Sequence, residues 1–554
     1  MPYAVARRFA GFAAAAAVSI ASLAAPHRAQ VNTGESFARL KHAGIRQTEI
    51  HRPATISKPA QFASPVTYGS GGYYATSVAV GDLNGDGKID VVVANSCQTG
   101  TNGGSNCSAG AGVSVLLGNG DGTLQAAVTY SSGGTAALSV AIADVDGDGR
   151  PDIVAANQCI SATDCSNGTV GVLLGNGDGT FRAPVIYLAG YGANAVAIAD
   201  LNGDGHPDLI VADECLSATS CSNGGVSVLL NGNGTFQTAI TYSSGGQNAL
   251  SIAVRDLNND GFADVVAVNQ CFSKFNCNDG GVAVLLGNGN GTLRAASSYN
   301  SGGYSGLAVA IADVNRDGQL DLIAANLCSD GSNCVDGNVG VLVGKGDGTF
   351  KPPVTYSTNG YGASSIAAAD VNGDGIPDLV VDNICKTSTS CNKGGIALLA
   401  GNGDGTFQTP LIYSSSGNHA TSVATVDLNG DNKPDIVTTD YCTTKSDCAG
   451  IVAVLQNSSL LKTTTTLASS PNPSVVGQPV TFTATTTSAS SVPDGEVITF
   501  YHGAVVLGTG RTTDGVASLT TSFSKAGTLT IKATYPGDSY HKASSGKVTQ
   551  VVAQ

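Results

Sequence analysis

One nine-residue pattern recurs seven times along this chain: DLNGDGKID from residue 82, DVDGDGRPD from 144, DLNGDGHPD from 200, DLNNDGFAD from 256, DVNRDGQLD from 313, DVNGDGIPD from 370 and DLNGDNKPD from 427. Successive copies begin 62, 56, 56, 57, 57 and 57 residues apart. A fixed period of this length constrains the fold more than any local propensity. Each unit must be one supersecondary element that buries its faces against its neighbours.

The residues around each copy repeat as well. An alternating stretch such as SVAIAD (139–144) enters the acidic segment, and an apolar run such as DIVAAN (152–157) leaves it. A third run, GVLLGNGDGTF (171–181), turns at GNGDG into a fourth that ends in Tyr. Period-2 alternation, β-branched residues and Gly/Asn/Asp turns predict four strands per unit. An amphipathic helix would need apolar residues every three or four positions, which this pattern lacks. Four strands per unit, seven times, predicts an all-β fold, a seven-bladed β-propeller of four-stranded blades. Ala79, Ala141, Ala197, Ala253, Ala310, Ala367 and Ala424 share one position of the first strand. Small side chains are expected where blades converge on an axis.

Closure of the ring is also legible. The seventh unit stops at IVAVLQN (451–457) without a GNGDGTF turn or a fourth strand, while QFASPVTY (61–68) stands before the first unit and matches FRAPVIY (181–187). This segment is expected to be the outer strand of the last blade, covering an edge otherwise left open. From about residue 463 the repeat disappears. Short runs such as VTFTAT, VITFYHG, ASLTTSF and LTIKATY follow, which predict a β-sandwich. The start, MPYAVARRFAGFAAAAAVSIASLAAPHRAQ, has basic Arg7 and Arg8, then an apolar run to Ala25. That is the form of a signal peptide cut after Ala24 or Ala25, so export is expected: extracellular, at the cell surface or periplasmic. The expected division is 1–25 signal peptide, 26–60 leader, 61–457 propeller and 463–554 sandwich. The leader carries six Lys or Arg against two Glu, as a flexible arm or a surface-binding one. No later stretch is long and apolar enough for a membrane span.

Four carboxylates in nine residues, as at 144–152, repel one another unless a cation offsets them. Positions 1, 3, 5 and 9 of each copy offer oxygen ligands. In order they are Asp82, Asn84, Asp86 and Asp90; Asp144, Asp146, Asp148 and Asp152; Asp200, Asn202, Asp204 and Asp208; Asp256, Asn258, Asp260 and Asp264; Asp313, Asn315, Asp317 and Asp321; Asp370, Asn372, Asp374 and Asp378; Asp427, Asn429, Asp431 and Asp435. Position 6 is Gly in six copies and Asn432 in the seventh, residues that tolerate a left-handed backbone. Alternate oxygen ligands round a tight turn suit Ca²⁺, with the position-7 carbonyl completing the set. Mg²⁺ resists losing its waters to an all-protein cage, and no His or thiolate is arranged here for Zn²⁺. Up to seven structural Ca²⁺ are therefore expected, with weaker binding where Asn259, Arg316 and Asn432 depart from the pattern. A metal-free acidic turn is the alternative reading, and seven copies weigh against it.

The charge balance fits. The segments hold four carboxylates in the second copy and three in each other, 22 of the chain's 41 acidic residues. The formal charge of −14 becomes −16 once Arg7 and Arg8 leave with the signal peptide, and seven divalent ions would return it to about −2. An acidic chain does not suit nucleic acid, which requires basic stripes.

Fourteen cysteines fall two per unit: Cys97 and Cys107, Cys159 and Cys165, Cys215 and Cys221, Cys271 and Cys277, Cys328 and Cys334, Cys385 and Cys391, Cys442 and Cys448. An even count in register with the repeat, in an exported chain, reads as seven local disulfides between second and third strands. Each would contribute roughly 2 kcal/mol by loop entropy. Zinc knuckles are the alternative, but the spacings and His partners they need are missing.

With these motifs, residues 62–457 resemble the FG-GAP/VCBS-type repeats of integrin-α-like seven-bladed propellers, and residues 463–554 resemble bacterial Ig-like domains. The resemblance implies Ca²⁺ loops between first and second strands, at the seven segments quoted, and extracellular recognition or adhesion. It also implies occasional fusion to carbohydrate-active enzymes.

Three functions stand against one another. The first is a non-catalytic binding protein for an extracellular glycan or protein ligand, using the end of the blades away from the acidic loops. That end carries Tyr73, Tyr74, Tyr191, Tyr304 and Tyr361 in the fourth-to-first connections. Tyr offers flat contact area at low entropic cost, though these rings could simply cover loop ends, and a chain with no Trp is an unusual lectin. The second is a calcium-dependent enzyme such as a polysaccharide lyase. It would need a base and a charge-neutralising group converging on the open face, and neither G-x-S-x-G nor H-E-x-x-H occurs. The third is a structural surface component. A monomer is expected in each case.

Overall fold

The computed structural model describes residues 60–554 apart from 99–109, 218–220, 273–278, 332–335, 388–390, 446, 459, 461, 489–491, 493 and 539–540. The expected signal peptide and nearly all of the leader lie outside the described residues.

The first unit forms β1 (Val66–Gly81), β2 (Asp90–Cys97), β3 (Gly112–Leu116) and β4 (Val128–Ser131) in antiparallel succession. Every residue of β2 and β3 is buried, whereas β4 is half exposed. Near-continuous apolar runs therefore occupy the middle of the blade, covered on both faces, and the polar-patterned strand lies at the rim. Five further four-stranded sheets follow the same order. The seventh is built from both ends of the repeat region: Val66–Gly69 of β1 pair with Ile451–Val454, while Tyr73–Gly81 pair with β2. One long strand thus serves two blades.

Side chains repeat this closure. Phe62 bridges Asn457 as Phe181 bridges Gly175 in the second blade. Around the ring, the fourth-strand Tyr of one blade meets the Phe of the next blade's turn edge to face: Tyr130–Phe181, Tyr187–Phe236, Tyr299–Phe350 and Tyr356–Phe407, with centroids 5.2–5.8 Å apart. Phe62 makes the same contact with Tyr413 of the sixth blade at 5.6 Å. The segment before the first unit therefore supplies what the seventh unit lacks, as its sequence predicts.

Seven apolar clusters hold the ring, each drawn from two successive blades, and one joins the last blade to the first through Ala424, Val437 and Val454 against Val78, Val91 and Leu116. The repeated alanines lie in these clusters, one per interface: Ala79, Ala253, Ala310 and Ala424 are buried there, and Ala141, Ala197 and Ala367 pack at the edge. A larger side chain would force neighbouring blades apart.

The first strands differ from the plain alternation of the sequence. Each carries one extra residue: Thr76, Leu138, Asn194, Leu250, Leu307, Ser364 and Thr421. These bulges turn a side chain toward the next blade. Thr76 Oγ1 donates to Ala137 O at 2.8 Å, Ser364 Oγ to Ala420 O at 2.9 Å and Thr421 Oγ1 to Ala75 O at 3.0 Å. Backbone groups on innermost edges, which no further strand can pair, are satisfied this way.

After the ring, a three-stranded sheet (Thr464–Ser470, Pro479–Thr487, Val516–Ser522) and a five-stranded sheet close over Phe482, Phe500 and Tyr535. This is the expected sandwich. Among the described residues no helix is long and apolar enough to cross a membrane.

Candidate metal centres and the opposite blade ends

Each acidic segment is the hairpin loop from first to second strand of its blade. Two residues per loop are left-handed. Position 6 has φ between 60° and 86° in all seven, including 60° at Asn432. Position 4 is Gly in five loops, but Asn259 (59°) and Arg316 (62°) hold it in the fourth and fifth. Those turns fold the chain so that backbone N–H groups point at position 1. In the first loop Asp82 Oδ1 accepts from Gly85 N at 2.8 Å, and Oδ2 accepts from Gly87 N at 2.8 Å. Asp86 Oδ1 accepts from Lys88 N at 2.9 Å.

Position 9 does something the sequence did not reveal. Its carboxylate opens the second strand, is almost wholly buried in all seven blades, and ties two turns together. Asp90 Oδ2 accepts from Leu83 N at 2.9 Å and Oδ1 from Gly118 N at 2.7 Å, the first residue of the GNGDG turn. Asp152, Asp208, Asp264, Asp321, Asp378 and Asp435 repeat both bonds at 2.7–3.2 Å. The turn of the following blade also touches the loop, with Gly291 N donating to Leu201 O at 3.0 Å.

The electrostatics of position 9 are unfavourable without a cation. Burial, with the neighbouring loop carboxylates acting in the same direction, pushes Asp152, Asp321 and Asp435 up to about 6 and Asp378 up to about 7. Asp90, Asp208 and Asp264 shift the same way for the same reason. In the second loop, carboxylate oxygens of Asp144, Asp146 and Asp152 lie within 4.8 Å of one another. In the sixth, Asn372 Oδ1 and Asp374 Oδ2 are buried with no hydrogen-bond partner. All donors are oxygens, so these loops could hold a hard divalent cation. The seventh loop differs: Lys433, 5% exposed, places Nζ 2.9 Å from Asp431 Oδ2. An internal ammonium already offsets that carboxylate.

The other end of each blade carries the cysteines. Disulfides join Cys159–Cys165, Cys215–Cys221, Cys385–Cys391 and Cys442–Cys448, with Cα atoms 3.8–4.7 Å apart. Cys97, Cys271 and Cys328 are also disulfide-bonded; their expected partners Cys107, Cys277 and Cys334 lie outside the described residues. The tyrosines stand beside these bonds. Tyr73, Tyr191, Tyr304 and Tyr361 are not in connecting loops but are first-strand residues paired with Cys97, Cys215, Cys328 and Cys385. All four are half-buried. Tyr74 stacks on Tyr441 at 4.7 Å, a partner that sequence reasoning passed over. His419 lies in the first strand of the seventh blade.

The repeats now have a family. FG-GAP-like repeats match residues 100–155, 158–211, 212–267, 274–324, 330–381 and 388–438, and an FG-GAP repeat matches 74–111. The chain belongs to the FG-GAP repeat family. A bacterial Ig-like domain (group 3) matches residues 465–553. No curated protein matches the chain. Two crystal structures of the extracellular domain of BT4673 from B. thetaiotaomicron are similar, each at 10% identity, with TM-scores of 0.39 and 0.37. They cover 90% and 88% of this chain, which spans only 59% and 58% of theirs.

This FG-GAP chain also buries carboxylates away from its loops. Two residues before the second-strand Cys, five blades carry Asn, and the third and seventh carry Asp213 and Asp440. Burial pushes both up to about 7. Asp382 is fully buried between the sixth and seventh blades, its Oδ2 bonded to Thr438 Oγ1 at 2.7 Å. Burial raises it well above the ordinary carboxylate range. Scattered single departures from a repeat leave no periodic signal, so only a blade-by-blade alignment of the sequence would have found them.

Proposed function

We propose that this is an exported, calcium-stabilised propeller whose disulfide-bearing end recognises an extracellular glycan or protein, without catalysis. One observation carries the reading: each hairpin of first and second strands has a carboxylate loop at one end and, in all seven blades, a first-strand residue paired with a disulfide Cys at the other, Tyr in four of those pairs. Chemistry that staples strands is thereby separated from surface that can vary.

For calcium, the support is the partnerless buried oxygens of Asn372 and Asp374 together with the raised position-9 carboxylates. A divalent ion bound to positions 1, 3, 5 and 9 would offset both. Bound there, Ca²⁺ supplies charge and a fixed geometry; the chain's own Asp residues brace the loop through position 9. Export is supported by the disulfides, which persist in oxidising compartments. For recognition, the support is the row of Tyr braced by cross-strand cysteines and the Tyr74–Tyr441 stack. A Tyr that packs over a loop end can also present one face to a ligand.

The test is a glycan and matrix-protein array probed with the mature chain in Ca²⁺ buffer. Binding to one ligand class, reduced at least tenfold in Tyr73→Ala/Tyr74→Ala, is the expected result. A blank array from folded protein would remove the recognition reading and leave the structural surface component in its place.

A further inference from the structure

Seven cysteine pairs look alike in sequence, but one has a different neighbour. Side-chain ligand atoms of Cys385, Cys391 and His419 lie within 4.8 Å of one another. The cysteines belong to the sixth blade and the histidine to the first strand of the seventh. At the position of His419 the other blades carry Tyr74, Ala136, Gly192, Asn248, Ser305 and Gly362. The imidazole is therefore particular to this pair.

The placement is firm. His419 is left-handed, with φ 63°, a conformation that costs a non-Gly residue about 1 kcal/mol or more and persists only where surroundings impose it. Its neighbours Asn418 and Ala420 pair with Cys442 and Asp440 of the second strand. Asn418 Nδ2 donates to Cys391 O at 3.0 Å, tying the cysteine loop to the strand that carries the histidine. Burial, with Lys445 nearby, holds the imidazole below its ordinary range.

We propose that the Cys385–Cys391 disulfide masks a soft-metal site, which on reduction binds one Zn²⁺ through the two thiolates and the His419 imidazole. The step balances with a dithiol as reductant. The dithiol gives two electrons and two protons to the S–S bond and becomes a cyclic disulfide, leaving two cysteine thiols. Zn²⁺ then displaces both thiol protons to solvent. Bonds of about 2.0–2.3 Å in a tetrahedral arrangement set ligand atoms somewhat under 4 Å apart, a separation the freed sulfurs reach by parting. Cys391 is half exposed, so the fourth position opens to water. Zinc was set aside on sequence because no His accompanied the Cys pairs; the partner comes from the next blade, 28 residues beyond Cys391.

The test uses the full mature chain in Ca²⁺ buffer, reduced anaerobically with a phosphine and titrated with Co²⁺. Cobalt in the acidic loops has only oxygen ligands, whereas cobalt at this site gives a thiolate charge-transfer band. One equivalent per chain is expected, displaced by Zn²⁺. His419→Asn should weaken that binding at least tenfold while the chain stays folded, since Asn248 holds the equivalent left-handed position. Cys159→Ser/Cys165→Ser, which removes a pair without a His, should leave the band intact. No band from reduced wild type, or equal bands in wild type and His419→Asn, would overturn the proposal.

Discussion

Replacing Asp440 by Asn should remove a pH dependence of stability that the wild-type chain carries. Asp440 is fully buried, with Ser415 Oγ donating to Oδ1 at 2.5 Å and Gly417 N to Oδ2 at 3.0 Å. Burial pushes it from the ordinary 3.8 up to about 7. A folded-state value above the unfolded one means that the folded chain holds the proton more tightly. The associated stability is complete below about pH 4 and is lost as pH rises through about 7. At about 1.4 kcal/mol per unit, full ionisation costs the fold about 4 kcal/mol, of which about 2 to 3 kcal/mol falls between pH 5 and 8. An amide carries no such cost. It can repeat the second blade's arrangement, in which Asn157 accepts from Ser132 Oγ and donates to Ser132 O. It forfeits the Gly417 bond, about 1 kcal/mol, equally at both pH values. The assay is guanidinium unfolding of both proteins at pH 5 and 8 with Ca²⁺ in excess, reading the difference of differences. Asp440→Asn should gain about 2 to 3 kcal/mol on wild type from pH 5 to pH 8. Equal pH dependence in the two proteins would refute the buried, proton-binding carboxylate.

Three further outcomes follow from the geometry. Arg316→Gly relaxes a left-handed position (φ 62°) and should raise stability by about 0.5 to 1 kcal/mol in thermal unfolding; a loss would mean that Arg316 makes a contact worth more than the strain. Asp152→Ala strips acceptors from Val145 N and Gly175 N, so a loss of about 2 to 5 kcal/mol is expected, together with one bound Ca²⁺ per chain; unchanged stability would contradict the bracing role of position 9. Phe62→Ala empties the contact with Tyr413 that closes the last blade, and a loss of about 3 kcal/mol or more should appear as earlier unfolding of the repeats, whereas a neutral result would place closure elsewhere.

Repetition made the architecture legible. Because every blade solves the same packing problem, the strand order, the small residues at converging edges and the missing outer strand could all be read by aligning the chain with itself. Phe62 pairs with Asn457 for the reason its sequence matches Phe181. What remained hidden is contact between units. The first-strand bulges keep the alternating pattern on both sides of the extra residue, so Thr76 and Ser364 give no sign of facing the next blade. His419 stands far along the chain from Cys391 and meets it only because adjacent blades lie side by side. The acidic loops gave their donor types, but not that Asp90 and its six equivalents bind two backbone N–H groups each. The buried pairing of Lys433 with Asp431 depends on how the seventh loop turns through Asn432.

The central claim is that the seven acidic loops hold calcium. Its most direct test is a count: strip the mature chain with a chelator, add Ca²⁺ back, and measure bound ions by native mass spectrometry alongside the unfolding temperature. The account predicts seven ions per chain, with the last to bind lost first from the loop in which Lys433 competes, and a melting temperature that rises with occupancy. A chain that retains no calcium, and melts identically with and without it, would contradict the account.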